Sequence, residues 1–252
     1  MSRYFLHLAY NGKNFHGWQI QNNAITVQQV LNETLSLFFK TKVELTGAGR
    51  TDTGVHAKDF YAHFDLPVEI LTENIPQLVY KLNGFLKENI VIYDIIPVKN
   101  EAHARFDAIS RTYMYYIGIK KDVFNFDYYY NINGNLDIHA MNDAAFTLLN
   151  YSDFSCFSKS NTQTKTNNCM ITYAKWELSD NNLIFTITAD RFLRNMVRAI
   201  VGTLLEIGFH KIDIEKLKQI IENKNRSDAG FSVPAKALFL SKICYPETIF
   251  IK

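Results

Sequence analysis

Cysteine is scarce in this chain: Cys156, Cys169 and Cys244 are its three thiols. An odd number at wide spacing, with no C-x-x-C pair, argues against both a disulfide framework and a structural zinc site. Buried, reduced thiols are the expectation. Excess charge of either sign is lacking too, the formal net charge being +2. A general polyanion binder is thereby excluded, and any nucleic-acid partner must meet a local basic surface. Long hydrophobic runs are missing as well. The longest apolar stretch, around Ile200 to Leu205, is flanked by Arg198 and Glu206, well short of the ~20 apolar residues that a membrane helix needs. The opening residues, Ser2-Arg3-Tyr4-Phe5-Leu6-His7-Leu8, lack the apolar core and small-residue cleavage site of a signal peptide. A cytoplasmic location is expected, with no membrane partner.

What is present is ordinary globular composition at 252 residues, 47% hydrophobic and 21% charged, enough for one large domain or two of usual size. Aromatics reach 14%, with 19 Phe and 14 Tyr. Most must be core, but aromatic rings are also what nucleic-acid bases stack on.

Hydrophobic periodicity divides the chain into two α+β halves. Tyr4 to Tyr10 reads as a strand buried largely on both faces. Val27, Val30, Leu31, Leu35 and Phe38 fall at helical spacing, behind a capping box of Thr26 and Gln29. Phe60 to Phe64 reads as a strand, Pro76 to Leu82 as a helix closed by Asn83-Gly84, and Ile90 to Pro97 as a strand. The second half repeats the architecture without repeating the sequence. Tyr113 to Ile119 is a strand, Asn142 to Leu149 a helix, and Tyr173 to Leu178 with Leu183 to Thr188 a hairpin across residues 179–182. Phe192 to Phe209 is a long helix, Ile214 to Ile221 an amphipathic one, and Leu238 to Ile243 a last strand. The boundary is expected near Ala104 to Ser110, giving halves 1–104 and 105–252. Antiparallel sheets of this kind leave one face open for a ligand. The polar loop Ser158 to Asn168 reads equally as an RNA-contacting loop or a solvated connection.

Chemistry concentrates in three segments. In Arg50-Thr51-Asp52-Thr53-Gly54-Val55-His56-Ala57 one carboxylate follows an arginine by two residues and precedes a glycine by two. Asp before Gly is common in turns, and that reading stands beside a sharper one. At i−2 in an extended backbone, Arg50 lies on the same side as Asp52, and a carboxylate beside a guanidinium stays ionised and able to act as a nucleophile. Gly49 and Gly54 bracket the segment and allow close backbone approach by a ligand. Asp52-Thr53-Gly54 is also the triplet of aspartic proteases, which need two carboxylates sharing a proton. The other loose candidate, Asp228-Ala229-Gly230, lacks the hydroxyl residue, and an adjacent Arg opposes proton sharing. In the second segment, Arg105 to Tyr116, Arg105 and Arg111 alternate with aromatics. Tyr113 is either packed in a sheet face or placed to stack on a base and move a proton. In the third, Arg191, Arg194 and Arg198 fall at i, i+3 and i+7 of the expected long helix, where three cations oppose the helix dipole unless an anion answers them. A solvated basic face is the plainer alternative.

Together these segments resemble the TruA family of tRNA pseudouridine synthases. Gly49 to Ala57 matches the family's G-R-T-D-x-G-V-H-A. Tyr10-Asn11-Gly12, Phe15, Gly17-Trp18-Gln19 and Gln21 are similar to its Y-D-G…F-x-G-W-Q-x-Q, with Asn11 in place of Asp. His103-Ala104-Arg105-Phe106 and Arg111 to Tyr115 resemble H-A-R-F…R-x-Y-x-Y. Met196-Val197-Arg198 with Ile200-Val201-Gly202 matches M-V-R-x-I-V-G. The resemblance implies isomerisation of uridine to pseudouridine at positions 38, 39 and 40 of the tRNA anticodon stem-loop, by a homodimer without metal or cofactor. It implies an α+β fold of two related halves, with antiparallel sheets, helices on one face and an active-site cleft between the halves. It also implies three catalytic residues: Asp52 as the catalytic aspartate, Arg50 beside it, and Tyr113 as the active-site tyrosine. Arg198 becomes the helix-motif arginine and Leu238 an apolar pocket residue. Arg105, Arg111, Arg191 and Arg194 are expected to hold substrate. A non-catalytic RNA-binding module or tRNA folding chaperone is the alternative, and a protease-like hydrolase a remote one.

Overall fold

The computed structural model describes residues 1–67, 69–159, 166–179 and 182–251. Residues 160–165 of the polar loop, and residues 180 and 181 of the hairpin turn, lie outside the described residues. The fold is α+β with mostly antiparallel strands. Packing divides the chain into two compact units, Met1–Ile109 with Leu240–Lys252, and Ser110–Phe239.

The first unit holds β1 (Ser2–Tyr10), α1 (Val27–Phe39), β2 (Thr46–Gly47), β3 (His56–Leu66), α2 (Ile75–Phe85) and β4 (Ile90–Val98). β1 lies between β3 and β4, antiparallel to both. Beyond β3 lies β9 (Leu238–Cys244), whose Ile243 N–H donates to Asp59 Oδ2 at 2.7 Å. β1 buries one face, with Tyr4, Leu6, Leu8 and Tyr10, and only part of the other: Phe5 packs with Val98, Ala102, Ala104 and Ile249, while His7 and Ala9 are half-buried, short of the expected burial of both faces. Thr26 caps α1 by accepting from Gln29 N, the first half of the capping box, while the Gln29 amide nitrogen donates to Glu33. Asn83-Gly84 does not close α2, which runs on to Phe85. The Asn83 amide bonds both N–H and C=O of Ile92 at 2.8 Å, so docking on β4 holds the turn that local sequence alone would end.

The second unit holds β5 (Ser110–Gly118), β6 (Tyr130–Asn131), α3 (Ile138–Thr147), β7 (Ile171–Ser179), β8 (Asn182–Ala189), α4 (Met196–Gly208) and α5 (Ile214–Asn223). β8 pairs antiparallel with β5 and β7. Asp137 and Asp213 cap α3 and α5. α5 buries Leu217, Ile220 and Ile221 and exposes its other face, as its periodicity predicts.

α4 departs from the expected long helix. It begins at Met196 rather than Phe192, behind Asn195 at φ 68° and ψ 0°. Asp190 Oδ1 accepts from both Met170 N and Arg191 N at 2.7 Å, which fixes the preceding residues in a non-helical course. Arg191 and Arg194 therefore do not share a helical face with Arg198. The electrostatics agree, since three cations at a helix N-terminus would face its positive dipole end.

Cys156 and Cys169 are buried free thiols and Cys244 is half-buried and free. Burial pushes the Cys156 and Cys169 thiols up to about 12.

Candidate active site

Asp52 opens a reverse turn. Its carbonyl accepts from Val55 N at 3.1 Å, and Gly54 occupies the third position at φ 79°, a conformation that a side chain disfavours. The turn leads directly into β3, and Asp52 is half-buried.

The residues that follow β1 form the mould for this turn. Gly54 N donates to Phe15 O at 3.3 Å, and Trp18 N approaches Thr51 O at 3.4 Å. The hydroxyls of Tyr10 and Thr51 bond at 2.8 Å. Gly12 N donates to Nδ1 of the buried His56 at 3.0 Å, so that ring nitrogen is unprotonated. Contact is so close that a Cβ on Gly12 would lie 2.0 Å from Val55 O, and one on Gly17 would lie 2.3 Å from Thr51 O. Gly17 also has φ +83°. The carbonyls of Gly17 and Trp18 in turn accept the first two N–H groups of α1, from Val27 and Gln28 at 3.2 and 3.0 Å. Gln28 is buried and makes three hydrogen bonds. Its Oε1 accepts from Gln19 Nε2 and Ile20 N, and its Nε2 donates to Leu45 O. Sequence reasoning missed this scaffold. Gln28 was its signal: a polar side chain beside Val27 and Leu31 on an apolar face must find partners.

Arg50 behaves differently from the expectation of a guanidinium lock. It is exposed, and among the described residues it makes no ion pair with Asp52. Gly49 beside it is open: a Cβ there would meet nothing within 4 Å. Backbone hydrogen bonds hold the turn, and the Trp18 ring packs 4.2 Å from Phe60 on the neighbouring strand.

In the second unit Tyr113 lies on β5 opposite Ile187, half-buried, its ring edge-on to Phe192 at 5.2 Å and 89°. Arg111, two residues earlier, donates to Asp190 O at 2.7 Å. Tyr113 and Arg111 are thus brought together with the 190–192 segment that also carries Arg191, while Arg194 is exposed beyond it. Arg198 stands in the first turn of α4 and is clamped at both ends of the residue. Its Nε donates to Val233 O at 2.7 Å and its carbonyl accepts from Val233 N. Gly202 permits this approach, since a Cβ there would lie 1.9 Å from Phe231 O. Tyr115 donates to Pro234 O at 3.0 Å, and burial raises its phenol far above the ordinary value. Leu238, first in β9, is buried at 5% exposure. Arg105 is exposed in the turn before β5.

The second protease-like triplet has another task. Asp228 accepts from the amides of Asn223 and Asn225, and Gly230 N donates to Thr203 Oγ1 at 2.9 Å. Its carboxylate is engaged in securing the segment packed on α4. No group of three or more His, Cys, Asp or Glu among the described residues could hold a metal ion, and no helix among them is long and apolar enough to cross a membrane.

Comparison with known proteins fits this placement of motifs. Residues 144–246 match the family model described as tRNA pseudouridine synthase. The chain is 53% identical to a tRNA pseudouridine synthase A of Parabacteroides distasonis, covering 99% of this chain and 98% of that protein. It is 51% identical to the protein of the same description from Bacteroides fragilis, at 99% coverage of each. With that of Clostridium acetobutylicum the identity is 37%, over 95% of this chain and 98% of the other. Near-complete coverage at this identity, together with a glycine-moulded aspartate turn, means that the chain belongs to the tRNA pseudouridine synthase A family.

Proposed function

We propose that this protein isomerises uridine to pseudouridine at positions 38, 39 and 40 of the tRNA anticodon stem-loop, with Asp52 as nucleophile. The observation that supports this most directly is the Asp52 turn. A carboxylate is carried on a backbone fixed by Tyr10, Gly12, Phe15 and Gly17, and such fixation is what positioned catalysis requires.

The reaction breaks the C1′–N1 bond, turns the detached uracil and joins C1′ to C5, after which the C5 proton leaves. The Asp52 carboxylate attacks C1′ or C6, or stabilises a glycal-like intermediate. Nothing is hydrolysed overall, so water must be limited while the base is free. Apolar walls such as Leu238 serve that need, and the Tyr113 ring stacks on the base while its hydroxyl relays the C5 proton. The target lies in a stem and must be flipped out, which is easier near a loop. Arg50 is exposed and so placed to meet RNA, and Arg105, Arg111, Arg191, Arg194 and Arg198 hold phosphates, so that recognition follows RNA shape. On this reading the enzyme works in the cytoplasm as a homodimer, without metal or cofactor.

Replacing Asp52 by Asn tests the reading. Tritium release from C5-labelled uridine in a tRNA transcript should vanish while transcript binding survives. Measurable pseudouridine from Asp52→Asn would remove the nucleophile assignment. Binding without release in the wild type would favour a non-catalytic RNA-binding module.

A further inference from the structure

The turn formed by residues 102–107 is more rigid than an ordinary surface turn. Ala102 O accepts from Arg3 Nη1 at 3.0 Å, and Arg3 is itself held by both oxygens of Asp65 at 2.8 Å. Ala104 N donates to Nδ1 of the buried His63 at 3.1 Å, and the Tyr245 hydroxyl donates to Ala104 O. His103 N donates to Asp107 Oδ2 at 2.7 Å, and Asp107 N returns a bond to His103 O at 3.0 Å. The His103 ring folds over the turn, its Nδ1 accepting from Arg105 N and Phe106 N at 3.1 and 3.4 Å.

At the end of this scaffold one large apolar ring stands in water. Phe106 is 73% exposed. Three rings run outward in a ladder: His63 is edge-on to His103 at 4.6 Å, and His103 lies 4.3 Å from Phe106 at 35°. The guanidinium of Arg105 sits 5.6 Å from the Phe106 centroid. None of the bonds that fix the turn uses the Phe106 side chain, so folding does not account for the ring's position. Burial and Arg3 hold His103 below its ordinary value, leaving the supporting ring neutral and well suited to stacking.

We propose that Phe106, backed by His103 and flanked by Arg105, is a stacking platform for one unpaired or flipped base of the RNA substrate. The inference rests on the tRNA reading above and adds a base-binding position to it. A flat apolar face with a cation beside it fits a nucleotide, since every nucleotide offers a base π-face and one phosphate charge. Rigidity matters because an ordered ring loses little further entropy on binding.

The test measures affinity for an unmodified tRNA transcript across a salt series, with Phe106→Ala, Phe106→Leu and Phe106→Trp. Losing a base–aromatic stack weakens binding by about 5- to 100-fold. Phe106→Ala and Phe106→Leu should both show that loss with an unchanged salt slope, since no phosphate contact is removed. Phe106→Trp should bind as the wild type does, its added indole fluorescence quenched by the RNA. Wild-type affinity in Phe106→Leu would overturn the proposal, because an apolar contact would then suffice. Unquenched indole fluorescence from Phe106→Trp in a complex that still forms would overturn it too, as would a changed sedimentation mass in Phe106→Ala, which would make the ring a contact between copies. A wild type that neither binds the transcript nor forms pseudouridine would instead overturn the tRNA reading itself.

Discussion

Gly17→Ala is a severe test of the idea that residues 10–18 mould the Asp52 turn. The new Cβ would lie 2.3 Å from Thr51 O and 3.3 Å from the Asp52 carbonyl carbon, at φ +83°. Two costs follow. The left-handed backbone costs a β-carbon residue about 1 kcal/mol. Overpacking against backbone, which has no rotamer to change, adds about 1–2 kcal/mol. The melting temperature should fall by about 5–10 °C. The larger effect is positional. Restoring an ordinary contact requires about 1.1 Å of movement between Gly17 and Thr51, and a misplacement near 1 Å costs on the order of 100-fold in rate. Single-turnover pseudouridine formation at saturating enzyme should therefore drop by roughly that factor, with tRNA affinity changed little. Gly49→Ala supplies the contrast. It lies in the same motif, but its Cβ would meet nothing within 4 Å, so turnover of bound substrate should stay within about threefold. Normal single-turnover rates in Gly17→Ala would refute the mould, as would a loss in Gly49→Ala equal to that in Gly17→Ala.

Three further outcomes are expected. Tyr113→Phe should lower turnover more than tRNA affinity, because the ring edge-on to Phe192 remains while the hydroxyl is lost; unchanged turnover in that variant would leave stacking as the only role. His63 is lowered to about 4, chiefly by burial and then by Arg3. Its folded value is depressed, so the unfolded chain takes the proton first. Stability is full above about 6.5 and declines as pH falls toward 4, by on the order of 2 kcal/mol. His63→Asn keeps an acceptor for Ala104 N and removes the titration, so urea unfolding midpoints of this variant should vary less between pH 6.5 and 4 than those of the wild type; equal slopes would contradict this. Finally, with Cys156 and Cys169 buried and pushed up to about 12, iodoacetamide at pH 8 should label the folded protein at Cys244 alone and all three thiols after denaturation. Labelling of Cys156 in the native state would show that its burial is not maintained.

Much of the fold was legible because local patterns and final burial agree. The alternation of β1, the apolar stripe of α1 and the amphipathic pattern of α5 each name one buried face, and each element forms where its period places it. Two departures occur where a distant residue overrides a local signal, whereas α3 starts at Ile138 rather than Asn142 because of its own local cap, Asp137. Asn83-Gly84 looks like a helix end, but Ile92 satisfies the Asn83 amide and the helix continues. Arg191 and Arg194 look like part of a helix, but Asp190 binds Met170 N, 20 residues back, and α4 starts later. Periodicity carries no information about such bonds.

The candidate site divides along the same line. Sequence alone named the candidate groups, because Asp52, Tyr113 and Arg198 stand in motifs whose residue types and order single them out. Tertiary structure decided what holds those groups in place. The Asp52 turn is set by glycines 35 to 40 residues earlier that let two backbones touch, and Arg198 by the carbonyl of Val233. Arg50, two residues before Asp52 in the chain, makes no ion pair with it among the described residues. The reason is geometric. Chemical identity is a property of a residue and its near neighbours, whereas position is fixed by hydrogen bonds and close contacts between segments that only folding brings together.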